Sequence, residues 1–565
     1  MSLAFYMKKI KFFALLVAAS LATTSCKEFL EETPLDSVKP EQISDANVYV
    51  NGALNTMVSD PMFRYGPFPN LWDYDSDDST GPSWAYGDVG AGNFQAYWGI
   101  NTAWTGPYVL IHRCNFGISR IQGMPMDEAA KKNLLGQLYF LRGWAYFLLV
   151  RAYGAVPIHT TAVTEGSDPQ QARKPVKEVY EFVIENLKTA ESNLLSTRDA
   201  GYQPGRISKG TASSLLTKVY LTMASGSLAS GQVTVLGGKT TAMVNGVKVL
   251  LKPQSITHTK TVVAGLEGLN SNDYFKLARD KAQEVMTSGE YQLFPTYADV
   301  WKVNNQNMGE HIWSLQSISN HPEYGNEISL FRIGRINTLG EIEGGWIGVS
   351  DHWYNLFEEN DQRVTEGVLH RWKMWGGTHF YPLRDSSVVD GADVTPTAVA
   401  KRTKYGYLPT DVSGLDDGHI ARLRKFEAVS DRTVTRANMN FPLLRYADVL
   451  LMFAEAENEV NSGPTPAAKD AVNQIRRRNS ATEVGALNQQ AFRSFVLEER
   501  RRELALEGDR RWDLLRWGIY LPVMNAIDID ENNVIKRRQQ KHLLFPIPVG
   551  ELNSNKAITG NNPGW

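Results

Sequence analysis

The sequence predicts an all-α-dominated fold, a scaffold of paired helices interrupted by long loop insertions and a few short β-hairpins. Apolar residues recur at helical spacing in seven segments, and Gly or Pro stands at several of their ends. Alternating apolar residues flank Asn245-Gly246, which is a strong local pattern for a hairpin. Antiparallel helix pairs of this size are typical of an α-solenoid of the tetratricopeptide type, although no clean 34-residue period is visible.

Residues that begin or end helices mark the boundaries of these segments. Gly154 and Pro157 end one helix, Pro175 opens the next, and Thr465 is placed to cap a helix that starts at Pro466. A short helix through Trp512 and Trp517 follows Gly508. The longer predicted helices are residues 134–153, 175–194, 209–224, 274–288, 444–460, 466–478 and 489–506.

Two long insertions separate the helices. Residues 226–272 contain the predicted hairpin, whose arms lie in residues 243–249. Residues 317–440 are rich in Gly, Trp, Tyr and Asp. Loops of this length in a folded protein usually carry function, so both insertions are candidate sources of a site.

The first residues have the order of a bacterial lipoprotein leader. Lys8, Lys9 and Lys11 precede a short apolar run, and small residues then lead to Cys26. We therefore expect a signal peptide over residues 1–25, lipidation of Cys26, and a polar tether over residues 26–42. The alternative is an ordinary secreted protein in which Cys26 has no special role. The acidic stretch after Cys26 resembles the surface-export signal of Bacteroidetes-type lipoproteins.

Composition excludes several classes of protein. The chain has 59 Lys and Arg against 61 Asp and Glu, and a net charge of −2 gives no reason to expect a nucleic-acid partner. Only two cysteines are present, so with Cys26 lipidated Cys114 has no disulfide partner and is expected to be a buried apolar residue. After the leader, no apolar run is long enough to cross a membrane.

Motifs for catalysis are weak. Gly237-Gly238-Lys239-Thr240 imitates part of a phosphate-binding loop without its first glycine, and neither a His-Glu-x-x-His nor a Gly-x-Ser-x-Gly motif occurs. A glycosidase needs only two carboxylates, and residues 73–78 carry four. The same run imitates the start of a calcium loop, but Asp78 and Trp84 occupy its Gly and Glu positions. A structural calcium ion is therefore an alternative, and we expect no other cofactor.

Several longer segments, taken in order, resemble one known family. They are "LRGWAYFLLVRAYGAVP", "GRISKGTASSLLTKVYL", "FPLLRYADVLLMFAEAEN", "EERRRELALEGDRRWDLLRWG" and the C-terminal "LLFPIPVGELNSNKAITGNNPGW". With the lipoprotein-like start, they resemble the SusD/RagB family of outer-membrane nutrient-uptake lipoproteins. In the arginine-rich segment the arginines alternate with acidic residues, which favours structural ion pairs over a nucleic-acid surface.

The resemblance implies the organisation and the partners of the protein. It implies one SusD-like domain over residues 43–565, with an N-terminal part to residue 225 and a C-terminal part from residue 273. It also implies a location at the outer surface of a Gram-negative outer membrane. The implied partners are an oligosaccharide or polysaccharide and a SusC-like, TonB-dependent transporter that the lipoprotein covers as a lid.

Tryptophans in polar loops are the most specific pointer to a ligand site. Eight of the 14 Trp fall in predicted helices or family-like segments, and six lie in two loop-rich regions. Sugars stack their C–H faces on aromatic rings, while Asn, Asp and Arg bind hydroxyl groups. We expect at least two of the six to stack on ligand. The candidate residues are Trp72, Asp73, Trp84, Asn93, Trp98, Asn101, Trp346, Arg371, Trp372 and Trp375, with Lys373 as a further polar candidate.

These observations favour a non-catalytic lipoprotein that captures glycan and delivers it to the transporter. Three alternatives remain open at the level of sequence. The first is a peptide-binding lid of the same kind of transporter. The second is a surface glycoside hydrolase or esterase, and the third is a structural lid that recognises no ligand itself.

Overall fold

Helices dominate the computed structural model, which describes residues 43–58, 62–63, 67–163, 167–244, 247–381 and 420–565. Residues Tyr49 to Trp565 gather into one unit. The predicted leader, Cys26 and the tether lie outside the described residues. The helices are α1 (Asn47–Val58), α2 (Pro67–Tyr74), α3 (Ser83–Gly90), α4 (Thr102–Gln122), α5 (Glu128–Tyr153), α6 (Val176–Asn193), α7 (Lys209–Ser227), α8 (Ser271–Ser288), α9 (Tyr297–Val300), α10 (Ile328–Arg332), α11 (Asp351–Tyr354), α12 (Gln362–Thr365), α13 (Tyr446–Val460), α14 (Pro466–Arg478), α15 (Gln489–Glu503), α16 (Arg510–Arg516), α17 (Tyr520–Ile527) and α18 (Val549–Ser554).

The strands are short, and all pair in antiparallel twos. They are β1 (Ser79–Thr80), β2 (Gln232–Gly237), β3 (Thr241–Val244), β4 (Val247–Leu250), β5 (Gln254–Thr259), β6 (His311–Ser314), β7 (Arg335–Ile336), β8 (Ile342–Glu343), β9 (Gly348–Val349), β10 (Arg371–Met374), β11 (Gly377–Phe380) and β12 (Pro442–Arg445). The pairs are β1 with β9, β2 with β5, β3 with β4, β6 with β12, β7 with β8 and β10 with β11.

The long helices pack in chain order, as a helical solenoid requires. Helices α4 to α8 each pack on the next, and α8 packs on α13, although more than 150 residues separate them. Helix α13 in turn packs on α14 and α15. The predicted helix-dominated, tetratricopeptide-like fold is therefore confirmed. Among the described residues, no helix is both long enough and apolar enough to cross a membrane.

Helix boundaries follow the local chemistry read from the sequence. The Thr465 hydroxyl accepts a hydrogen bond from the Ala468 amide and caps α14, whose bounds are those predicted. Helix α5 ends at Gly154, whose φ of 71° is strained for any residue with a Cβ. This helix begins earlier than its apolar pattern indicates, because Asp127 caps it at the Ala130 amide. Cys114 in α4 is fully buried, as expected.

The first insertion contains the predicted hairpin. Strand β3 pairs with β4 so that Val244 lies opposite Val247. The predicted turn residues, Asn245 and Gly246, lie outside the described residues. Beside it, β2 pairs with β5 over six residues, from Gln232 opposite Thr259 to Gly237 opposite Gln254. Strand β2 packs on α15, so the insertion is attached to the C-terminal helices.

Charged side chains in and around the arginine-rich segment lie in the interior and form ion pairs, as the alternation of charges indicates. Arg445 contacts Glu507 at 2.7 Å, and Arg478 contacts Glu310 at 2.6 Å. Glu499 accepts hydrogen bonds from Arg363 and Arg476, each at 2.7 Å. Each of these side chains is at most 5% exposed, so the segment is structural and is not an exposed basic surface.

We predict that Glu499→Gln destabilises the fold by about 3–5 kcal/mol, because it leaves Arg363 and Arg476 buried without the carboxylate. Urea unfolding at neutral pH measures this loss. The control is Glu181→Gln, which removes an exposed partner of Lys177 at 3.9 Å and is expected to cost under about 1 kcal/mol. Equal effects of the two substitutions would contradict the structural role of the buried pair.

The cost of Glu499→Gln should also depend on pH. Burial alone would raise the pKa of Glu499, but Arg363, Arg502 and Arg476 outweigh it and lower that pKa to about 2. The charged carboxylate therefore stabilises the fold above pH 4.5, and this contribution is lost as the pH falls toward 2. We expect the difference in unfolding free energy between wild type and variant to shrink over that interval, as measured by unfolding at a series of pH values. A difference that stays constant down to pH 2 would contradict the assignment.

Candidate functional site

A two-residue strand pair brings the two tryptophan-rich loop regions together. Ser79 in β1 lies opposite Val349 in β9, and Thr80 lies opposite Gly348. The Ser350 amide adds a hydrogen bond of 2.6 Å to the Asp78 carbonyl. Because the strands are antiparallel, the chain that leaves β1 and the chain that enters β9 lie side by side. Trp84 follows β1, and Trp346 precedes β9.

Three aromatic side chains form a cluster here that we call the aromatic face: Trp84, Phe331 and Trp346. The rings of Trp84 and Trp346 are 5.4 Å apart at an interplanar angle of 71°, an edge-to-face contact. The rings of Trp346 and Phe331 are 5.7 Å apart at 55°. Trp84 is 64% exposed, and the other two are half-buried. The face therefore has a half-buried base and an exposed Trp ring.

Trp375 projects from the tip of a neighbouring hairpin. Strand β10 contacts β8, which lies three residues before Trp346. Trp375 and Gly376 form the two-residue turn between β10 and β11, with φ values of 50° and 75°. The Gly376 amide donates a hydrogen bond of 2.7 Å to the Glu341 carboxylate. Trp375 is 60% exposed, so its large ring lies in solvent. Its positive φ is unfavourable for a residue with a side chain of this size.

A second group of predicted residues lies in the loop before α4. Trp98 is 60% exposed and contacts the Tyr97 ring at 5.5 Å. Tyr97 itself is buried, and its hydroxyl accepts a hydrogen bond from Asn70. Asn93 and Asn101 are exposed in the same loop. This loop therefore exposes one aromatic ring and two amide side chains.

Two of the six loop tryptophans belong to the core, so their expected exposure is wrong. Trp72 in α2 packs edge-to-face on Phe63 and Phe68, at 5.6 Å and 5.2 Å, and is 7% exposed. Trp372 in β10 is equally buried, with the Arg422 guanidinium 4.7 Å from its ring centroid. Strand alternation explains the second case, because Trp372 and Met374 face inward while Lys373 is exposed.

The acidic run at residues 73–78 is also interior, which corrects its reading as ligand-binding, catalytic or calcium-binding. Asp73 contacts Arg332 at 2.8 Å and accepts the Gly508 amide at 2.9 Å. Asp77 receives two hydrogen bonds from Arg510, at 2.8 Å and 2.7 Å. Guanidinium groups occupy the positions that a metal or a substrate would need. No group of three or more His, Cys, Asp or Glu side chains suited to a metal occurs within the described part of the chain.

Burial raises the pKa values of these carboxyl groups, whereas the neighbouring arginines lower them. It raises the pKa of Asp73 to about 6, against the opposing effect of Arg332. It likewise raises the pKa of Asp78 to about 7, because Arg501 only partly offsets it. At Asp77, by contrast, Arg510 and Arg501 outweigh burial and lower the pKa. These shifts follow from packing and ion pairs, and all three side chains are at most 6% exposed.

Sequence reasoning missed two residues of the site. Phe331 lies in α10, a short apolar segment that looks like core, and only the fold brings it to Trp346. Glu341 follows the β7–β8 turn and fixes the Trp375 turn through Gly376. Arg371 begins β10, and its side chain lies outside what the structure describes. The role of the remaining predicted residues in binding stays a prediction.

The fold and the site together define a helical-repeat protein that presents an aromatic surface on paired loops. A model of the SusD family matches residues 275–565, more than half of the chain. A second model, described as starch-binding associating with outer membrane, matches residues 29–221. The chain belongs to the SusD family.

Named relatives share most of the chain at low identity. SusD-like protein P25 of Formosa agariphila is 23% identical, over 94% of this chain and 95% of its own. SusD-like protein P38 of the same organism is 26% identical over 81% and 79%. A SusD homolog from Bacteroides thetaiotaomicron shares the fold with a TM-score of 0.70 and 22% identity, over 93% of this chain and 97% of that structure. A laminarin binding SusD-like protein has a TM-score of 0.63 and 21% identity, over 92% and 99%.

We predict that Trp375→Asn raises the unfolding free energy by about 0.5–1 kcal/mol, because Asn adopts left-handed backbone in a hairpin turn more readily than Trp. Thermal unfolding measures the change. The matched control in the same turn is Gly376→Ala, which places a Cβ at φ 75° and is expected to lower stability. A lower melting temperature for Trp375→Asn would instead show that the ring supports the fold.

Proposed function

We propose that this protein captures a glycan on the aromatic face and does not cleave it. The observation that carries the proposal is the exposed Trp84 ring, braced edge-to-face on Trp346 at 5.4 Å. A braced ring loses little conformational freedom when a sugar stacks on it, which makes it a suitable platform. Trp375 supplies a second exposed ring on the adjacent hairpin.

Polar groups in the segment that leads to Trp346 suit hydroxyl recognition. Arg335 and Glu343 form an exposed pair at 2.7 Å on β7 and β8, within the segment that leads to Trp346. Asn337 and Thr338 lie in the turn between these strands, and Thr338 is exposed. An apolar platform with a few oriented polar groups is the usual composition of a small-molecule site.

The relatives support a carbohydrate ligand. One structural relative is named a laminarin binding SusD-like protein. Another is a surface glycan-binding protein A from Bacteroides fluxus, with a TM-score of 0.65 and 18% identity, over 92% of this chain and 99% of that structure. A common fold with variable loops accounts for different glycans on one scaffold.

The proposal includes a location and a partner. The family description that matches residues 29–221 names association with the outer membrane, and lipidation of Cys26 would supply the anchor. A SusC-like, TonB-dependent transporter would receive the captured glycan. This role requires affinity without turnover, and the buried, Arg-paired state of the acidic run at residues 73–78 agrees with it.

We predict that Trp84→Ala weakens glycan binding tenfold or more, about 1.4 kcal/mol, because a central exposed aromatic contributes strongly to binding. Isothermal titration of the protein without its leader against laminarin, starch and other polysaccharides measures the effect. Trp346→Ala should act in the same direction. Met243→Ala is the matched control, because Met243 is 66% exposed on a different hairpin.

Three outcomes would change the proposal. Loss of affinity in Trp98→Ala with unchanged affinity in Trp84→Ala would move the site to the loop before α4. Reducing ends released from a bound polysaccharide by the wild type would contradict the non-catalytic role. Saturable binding of peptides, with no glycan bound, would establish the peptide-binding alternative.

A further inference from the structure

A large cavity lies between the C-terminal end of α5, the loop after β5, α16 and the C-terminal segment. Its volume is about 630 Å³, within the range of sites that hold a drug-sized molecule. Half-buried aliphatic side chains make much of its wall, among them Val263, Leu515, Leu521 and Leu544. None of the residues of the aromatic face lines it.

The loop after β5 closes one side of the cavity and is held in place. The Val263 amide donates to the Gly226 carbonyl at 2.9 Å, and the Thr261 hydroxyl donates to the Gly518 carbonyl at 3.0 Å. Gly518 has a φ of 64°, and a Cβ there would lie 2.0 Å from the Thr261 carbonyl oxygen. The loop therefore depends on this glycine for its close approach, and the cavity is formed before any ligand arrives.

The charged groups of the cavity are all basic. Four lining residues are Arg or Lys, and no Asp or Glu lines it among the described residues: Arg151, Arg173, Arg516 and Lys541. Arg516 is neutralised by Glu455 and Asp513. Within the described residues, Arg173 donates to backbone carbonyls and to Asn562. Lys541 lies 4.4 Å from the Trp565 ring centroid, with no carboxylate in ion-pair reach in the described chain.

Arg151 lines the cavity from the last turn of α5. Its guanidinium carbon lies 4.0 Å from the Phe147 ring centroid and 4.7 Å from that of Trp512, so rings cover its faces. Its one hydrogen bond among the described residues joins Nε to the Phe147 carbonyl at 3.3 Å. Burial lowers its pKa to about 10, despite nearby acidic groups, so it remains charged at neutral pH. Arg151 is half-buried and makes no ion pair among the described residues, although Asp509 and Asp513 lie near enough to raise its pKa. An anion in the cavity would therefore gain a charged hydrogen-bond donor that no carboxylate already occupies.

A second donor lacks a partner at the same place. Trp512 is 5% exposed and lines the cavity, and its Nε1–H makes no hydrogen bond within the described structure. Buried indole N–H groups usually find an acceptor. Arg151 and Trp512 therefore offer adjacent donors at the wall of an apolar chamber.

We propose that this cavity is a second ligand site, which takes an organic carboxylate with an apolar body. The carboxylate accepts hydrogen bonds from Arg151 and Trp512, and the aliphatic wall covers the body. An uncharged sugar would form no ion pair with the guanidinium and would place most of its hydroxyl groups against an aliphatic wall. The site goes beyond glycan capture and does not depend on it.

Titration of the folded protein with decanoate, followed by calorimetry and tryptophan fluorescence, tests the proposal. We expect saturable one-to-one binding of decanoate and at least tenfold weaker binding of decanol. Arg151→Met keeps the side-chain bulk and should reduce decanoate affinity tenfold or more, with decanol unaffected. Arg477→Met is the matched control, because Arg477 lies on the surface and pairs with Asp470.

A second substitution keeps the test decisive if Arg151→Met fails to fold. Leu521→Trp fills the chamber from its half-buried wall and should abolish decanoate binding. Trp84→Ala should leave it unchanged, which separates this site from the glycan site. Decanoate binding that is absent, or unaffected by both cavity substitutions, overturns the proposal. Tighter binding of glucuronate than of decanoate would overturn the proposal that the ligand has an apolar body, and would indicate an acidic sugar instead.

Discussion

The rest of the structure depends on the burial of Asp75, Asp77 and Asp78 among arginines of the C-terminal region. Asp75 contacts Arg511 and Arg538, Asp77 contacts Arg510, and Asp78 contacts Arg501. The partners are more than 400 residues apart in sequence, so these contacts fix the N-terminal part against the last third of the chain. Loss of one charge would leave its partner unpaired in the interior, at a cost of about 3–5 kcal/mol.

This constraint also positions the aromatic face. The acidic run at residues 73–78 continues directly into β1, where Thr80 donates a hydrogen bond of 3.0 Å to Asp530. Strand β1 pairs with β9, and Trp84 and Trp346 lie just beyond the two strands. The exposed rings are therefore only a few residues from the most strongly tethered part of the chain. Rigid support of this kind limits the entropy lost on binding.

The sequence predicted the features that depend on neighbouring residues along the chain. It did not predict burial or exposure that depends on residues distant in sequence. Helix α14 has the predicted bounds because Thr465 and Pro466 act locally. Trp72 and Trp84 lie in similar polar sequence, yet one packs on Phe63 and the other is exposed. The aspartates looked solvated because their arginines lie hundreds of residues away. Phe331 carried no pattern that distinguishes it from core, so its place in the site required the fold.

The short β1–β9 pair has a consequence for how ligand preference changes. Two residues on each side pair there through backbone hydrogen bonds, and the Ser79 hydroxyl donates to the Gly348 carbonyl at 3.3 Å. The long helices keep their own contacts with one another. The segment after Thr80 and the segment before Gly348 thus form a pair of loops whose tryptophan rings contact each other. Evolution or a protein engineer can exchange both together, whereas replacing one alone would separate a ring from the neighbour that braces it.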